Sequence, residues 1–157
     1  MSTIKVDNYQ TRGGASEIAI DKIKGVTAAG SMLVVGEGNS TTTNLQQGLC
    51  KSWVKLNGTS TVAINNSFNT SGITDEATGH YSHSFTNNFA DAHYVGSGSA
   101  MFSANNNLHV ITIGDNNGAN GTVPSTSSYE LRSPYVAGTN AGQDCTIVSI
   151  GNVGDLA

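Results

Sequence analysis

Residues 49–94, LCKSWVKLNGTSTVAINNSFNTSGITDEATGHYSHSFTNNFADAHY, decide the fold. Short runs of apolar and β-branched residues are punctuated there by Asn, Gly, Ser and Thr, the pattern of consecutive strands joined by tight turns. Period-two alternation puts Val54 and Leu56 with Cys50 on one face of the first strand, and Trp53 with Lys51 and Lys55 on the other. Trp53 is thereby turned away from the apolar face, and it is expected either under a second sheet or against a neighbouring subunit, with the two Lys stems packed over it. Asn57-Gly58 has the composition of a tight type I′ hairpin leading into Thr61-Val62-Ala63-Ile64. Further on, Tyr81, His83 and Phe85 share one face and His80, Ser82 and Ser84 the other, so the aromatic face is expected to be buried.

Working outward, Met101-Phe102 resumes apolar character after Gly96-Ser97-Gly98-Ser99, which reads as a bulged or bent strand. Residues 108–113, LHVITI, read as the clearest strand of the second half, and Tyr129-Glu130-Leu131-Arg132 and Cys145-Thr146-Ile147-Val148-Ser149-Ile150 complete the set. No ten-residue stretch carries a helical period, although Asn44-Leu45-Gln46-Gln47 suits a single helical turn. Upstream, Ile4-Lys5-Val6-Asp7 and Ile18-Ala19-Ile20-Asp21 are two short strand-like pieces around Gly13-Gly14, marginal unless they lean on a neighbour. Gly30 to Gly36 encloses another short strand, and the uncharged Gly38-to-Asn44 tract reads as a linker. The expected fold class is an all-β, antiparallel, jelly-roll-like β-sandwich over residues 48–157, preceded by an N-terminal attachment and assembly segment, residues 1–47, in which Ile4, Val6, Ile18 and Ile20 supply the anchor.

Composition narrows the function classes. The chain has 157 residues, 37% hydrophobic, 11% charged, 19 Gly and a net charge of -4. Disorder usually combines low hydrophobicity with high net charge, so a folded, loop-rich domain is the better account. Mild acidity argues against nucleic acid as a partner, and no apolar stretch approaches a membrane span. Synthesis in a cytoplasm favours two free, buried thiols at Cys50 and Cys145.

His80, His83, His93 and His109 all fall on predicted strands, but His80 and His83 take opposite faces of one strand, which weakens any chelating pair, and partly exposed or aromatic-packed histidines are the better account. Asp115-Asn116-Asn117-Gly118 fails the calcium-loop spacing because Asn120 takes the sixth place and Thr126 the twelfth. The serines form no nucleophile elbow, and Asp75, Glu76 and Asp91 show no sign of the burial that would tune a catalytic acid. No catalytic residue, metal or cofactor is expected.

One group of motifs resembles a known family. The block Lys51-Ser52-Trp53-Val54-Lys55-Leu56-Asn57-Gly58-Thr59 is followed by Val62-Ala63-Ile64, Ser67-Phe68-Asn69, Gly72-Ile73-Thr74-Asp75, Gly79-His80-Tyr81 and Ala90-Asp91-Ala92-His93-Tyr94. In that order they are similar to a β domain of bacteriophage fibre and related virion proteins, whose pattern opens K-A-W-V-x-F-x-G-T, continues S-F-N and I-T-D-x-G-x-G-x-Y, and closes A-x-A-x-Y. The opening Met1-Ser2-Thr3-Ile4-Lys5-Val6-Asp7 resembles the start of fibre-like proteins of marine phages. Ser52 stands in place of the family's Ala, Leu56 in place of an aromatic, and Glu76-Ala77-Thr78 in place of a turn richer in Gly and Asn. The resemblance implies a virion structural protein made in the host cytoplasm, a homo-oligomer and specifically a homotrimer, that binds other capsid or tail proteins. With one anchor and one terminal domain, a short fibre, knob or decoration element on head or tail is expected. An alternative is a carbohydrate-binding adhesin domain that contacts a host surface glycan through Tyr94 and the loops carrying Asn105, Asn106, Asn107, Asp115, Asn116, Asn117 and Asn120.

Overall fold

The computed structural model describes residues 32–35, 41–102, 109–114, 123–135 and 141–157. The anchor positions Ile4, Val6, Ile18 and Ile20 and the loop positions Asn105, Asn106, Asn107, Asp115, Asn116, Asn117 and Asn120 lie outside the described residues.

The first described elements are a two-stranded antiparallel ribbon, β1 (Leu33–Val35) and β2 (Thr42–Asn44), and one helical turn, α1 (Leu45–Gly48). Sequence reading assigns Thr42 to Asn44 to a linker because nothing there is apolar. The tract is instead a strand, held by its backbone register with β1, which needs no buried side chain.

The remaining strands build two antiparallel four-stranded sheets. One runs in the order β4 (Ala63–Phe68), β3 (Cys50–Asn57), β10 (Ile147–Val153), β7 (Val95–Met101). The other runs β5 (Thr70–Ala77), β6 (His80–Phe85), β9 (Ser128–Arg132), β8 (Thr112–Ile113). The expected all-β antiparallel sandwich is the observed class, and its first and last strands, β3 and β10, lie side by side, as in a jelly roll. Between the sheets, Val54, Leu56, Val148 and Ile150 of one meet Tyr81, Phe85, Tyr129 and Leu131 of the other, all buried. Each such side chain contributes roughly 1.5–3 kcal/mol on leaving water.

Two features set how the sheets join. Asn69 alone, at φ 54°, turns the chain from β4 into β5. Its side chain holds the corner: Nδ2 donates to the carbonyls of Lys51 and Asn87, both at 3.0 Å, and Oδ1 accepts from Asn87 N at 2.6 Å. Asn tolerates the left-handed region and can make these local bonds, which is why the corner falls here. At the opposite end of β3, Gly58 N donates to the Cys145 carbonyl at 2.9 Å. A Cβ at Gly58 would run into the Tyr81 hydroxyl, so only Gly admits that contact. The connection after β3 is residues 58–62 rather than a two-residue turn; Asn57 Oδ1 instead accepts from Thr59 N at 3.1 Å and Thr59 Oγ1 at 2.8 Å.

Three further expectations are corrected. Gly96-Ser97-Gly98-Ser99 is continuous strand, because the glycines face inward, where Ile113 and Asn152 crowd Gly96 and the Ser149 carbonyl and Ile150 crowd Gly98. Of the run at 108–113, the described residues 109–113 are strand only at Thr112–Ile113; His109 makes an isolated bridge to Tyr135. A register shift between Asn152 and Val153 opposite Ser52 and Cys50 places a bulge at Lys51. Lys51 is therefore buried instead of sharing the Trp53 face, and Cys50 is exposed instead of buried. Both cysteines are free, as expected. Cys50 opens the eight-residue β3 and Cys145 lies beside Gly58 just past its other end, roughly 25 Å of extended chain apart, too far for a disulfide.

Candidate functional site

The sandwich has two outer faces of different chemistry. On the β5-β6-β9-β8 sheet the outward side chains satisfy one another: His80 Nε2 lies 3.0 Å from Glu130 Oε2, and the Ser82 hydroxyl donates to Glu76 Oε1 at 2.7 Å. That face is polar and self-paired.

The outer face of the β4-β3-β10-β7 sheet is different. Register aligns Phe68, Trp53, Gly151 and Ser97 in one row across the four strands, and Asn66, Lys55, Ser149 and Ser99 in the next. Because these positions alternate with Val54 and Ile150, which enter the core, the two rows point outward. Between Trp53 on one side and Ser97 and Ser99 on the other lies an open groove of about 550 Å³. Gly151 forms its floor. A Cβ there would meet nothing nearer than Cys50 Sγ at 3.5 Å, an ordinary contact, so no packing constraint demands Gly at this position. The Ser97, Ser99 and Ser149 hydroxyls make no hydrogen bond with the described residues, and Lys55 is exposed without an ion pair among them. Apolar side chains flank the groove, with Phe68, Val95 and Met101 each at least half exposed.

Trp53 and Lys55 are thus brought together as the sequence suggests, without Lys51. Trp53 is half-buried, and the second sheet does not cover it, since that sheet packs on the opposite face. Sequence reading missed Ser97, Ser99, Ser149 and Gly151. The signal lay in the strict Gly/Ser alternation of Gly96-Ser97-Gly98-Ser99, which gives small residues inward and hydroxyls outward.

Tyr94, expected at the surface, is committed to the interior. Its ring centroid lies 4.4 Å from that of Phe89 and 5.5 Å from that of Phe85, and its hydroxyl donates to the Ser125 carbonyl at 3.1 Å. Burial pushes its pKa up to about 12.

A second polar constellation crosses the core. Asn152 Nδ2 donates to the Tyr129 hydroxyl at 3.3 Å, and that hydroxyl lies 2.9 Å from His83 Nδ1. His83 Nε2 lies 2.8 Å from Thr70 Oγ1, which is also within 3.3 Å of the Trp53 carbonyl. His83 therefore has a hydrogen-bonding partner at each ring nitrogen. Burial lowers its pKa to about 4. Burial also raises the pKa of Tyr129 and of Tyr81, the latter with help from the Asp144 carboxylate, whose Oδ1 accepts from the Tyr81 hydroxyl at 3.2 Å and from Gly79 N at 2.6 Å. The network is sealed and ties sheet to sheet. The other histidines are dispersed: His93 is exposed beside Asp91, and His109 lies between the rings of Phe102 and Tyr135. Among the described residues no three His, Cys, Asp or Glu side chains converge as a metal site would require, and no helix is long and apolar enough to cross a membrane.

Compared with protein-family models, with curated proteins and with solved structures, the chain matches none.

Proposed function

We propose that the protein is a structural component of a bacteriophage virion, a short fibre, knob or decoration element of head or tail. In this reading the segment before the sandwich docks on the particle and the chain works as a homo-oligomer, a trimer by the resemblance. The observation that carries the proposal is the ribbon ahead of the sandwich. Leu33, Val34 and Val35 are adjacent on one strand, hence point alternately to its two faces, yet all three are at least half exposed. Both faces of the apolar strand β1 are therefore open among the described residues, and a two-stranded ribbon of this kind is marginal alone and gains from burial against another chain. The order of motifs in residues 49–94 supports the same reading by resemblance.

Particles purified from infected cells test it. Mass spectrometry with immunogold labelling should find the chain on the particle surface at a fixed copy number. Recovery only in the soluble, particle-free fraction contradicts the proposal.

A further inference from the structure

We infer that the groove over Gly151 is a carbohydrate-binding site, taking a short run of hexopyranose units laid across the strands. The occupant follows from the lining. A pyranose has a flat face of C–H groups and a rim of hydroxyls, and the groove offers a match to each part. Trp53, with Phe68 paired beside it across β3 and β4, supplies the apolar platform. Opposite them stand the Ser97, Ser99 and Ser149 hydroxyls, with no partner among the described residues and each able to donate and accept. Gly151 leaves open the dish between platform and hydroxyls, although the fold would accommodate a side chain there. The row from Phe68 to Ser97 spans three strand spacings, roughly 14 Å, room for two or three sugar rings.

A dry contact with a second copy of the chain is the competing occupant. It would strip water from three hydroxyls and the Lys55 ammonium without a described partner for any of them, leaving each polar group desolvated and unpaired, the charge at the greatest cost. A sugar supplies hydroxyls that pair with those groups, and Lys55 accepts either a ring hydroxyl or the carboxylate of a uronic acid. The site is separate from the ribbon proposed to dock the chain, so adhesion at the groove and anchoring at the ribbon stand or fall independently.

Trp53 is the only tryptophan in the chain, which makes its fluorescence a direct reporter of the groove. The full-length protein is titrated with cellohexaose and, in parallel, with an alginate hexasaccharide, separating neutral from uronate ligands. The expected result is a saturable change in Trp53 emission with at least one of them, weakened about tenfold or more in Gly151→Val, which fills the dish. Preference for the uronate that disappears in Lys55→Gln assigns the carboxylate to Lys55. If Gly151→Val does not fold, Ser99→Leu at the exposed rim obstructs the same groove. No emission change with either sugar up to roughly 10 mM, ten times a weak millimolar Kd, overturns the proposal. So does a sugar response that the obstructing variant leaves unchanged. An emission shift that follows protein concentration instead of sugar assigns the face to a contact between copies, and also overturns it.

Discussion

His83 Nδ1 and the Tyr129 hydroxyl meet at 2.9 Å in the buried centre of the sandwich, with Asn152 feeding the bond from the facing sheet. Tyr129→Phe removes the hydrogen-bond partner described for His83 Nδ1 and leaves that nitrogen and Asn152 Nδ2 unpaired. The expected loss is about 1–3 kcal/mol of unfolding free energy, read from urea denaturation at neutral pH. An unchanged midpoint would mean that the network contributes nothing to holding the sheets together.

Stability should depend on pH through the same histidine. Its folded pKa is lowered from 6.5 to about 4, so between those values the unfolded chain binds a proton that the folded chain does not. Stability is therefore full above pH 6.5, falls as pH drops towards 4, and loses no more from this group below that. The loss is about 3 kcal/mol. Urea midpoints measured across this range should fall for the natural chain, and His83→Gln should flatten the slope.

Two glycines on neighbouring strands should respond in opposite ways. A Cβ at Gly98 collides with the Ser149 carbonyl, so Gly98→Ala should destabilise by about 1–3 kcal/mol. Gly151→Ala meets only ordinary contacts and loses unfolded-state entropy, so it should be neutral or stabilising by up to about 1 kcal/mol. Thermal melting of the two variants distinguishes them.

The cysteines should differ in reactivity. Cys50 is exposed, whereas Cys145 is buried and its thiol pKa is raised by that burial. A thiol reagent at neutral pH should modify one thiol rapidly in the native protein and both in denaturant. Two rapid native thiols would contradict the burial of Cys145.

What could be read in advance was local. Tyr81, His83 and Phe85 announced their buried face because β6 alternates without interruption. The bulge at Lys51 was invisible because it depends on pairing with β10, almost one hundred residues away in sequence, and it reversed the expected burial of Cys50 and Lys51. Gly96 and Gly98 looked like a break because glycine marks both turns and close approaches, and only the packing of Asn152 and Ile150 shows which applies. The groove was hidden for the same reason. Trp53, Ser97 and Gly151 become neighbours only through the register of three strands, so the sequence showed a misplaced tryptophan without the surface it belongs to.

The central claim is that the chain functions docked to other chains, because Leu33, Val34 and Val35 have no cover among the described residues. Size-exclusion chromatography with light scattering on the full-length protein tests it most directly. The expected result is a stable species at a whole-number multiple of 16.2 kDa that shifts towards the single-chain mass in Leu33→Lys/Val35→Lys. A folded, concentration-independent 16.2 kDa monomer would contradict the account.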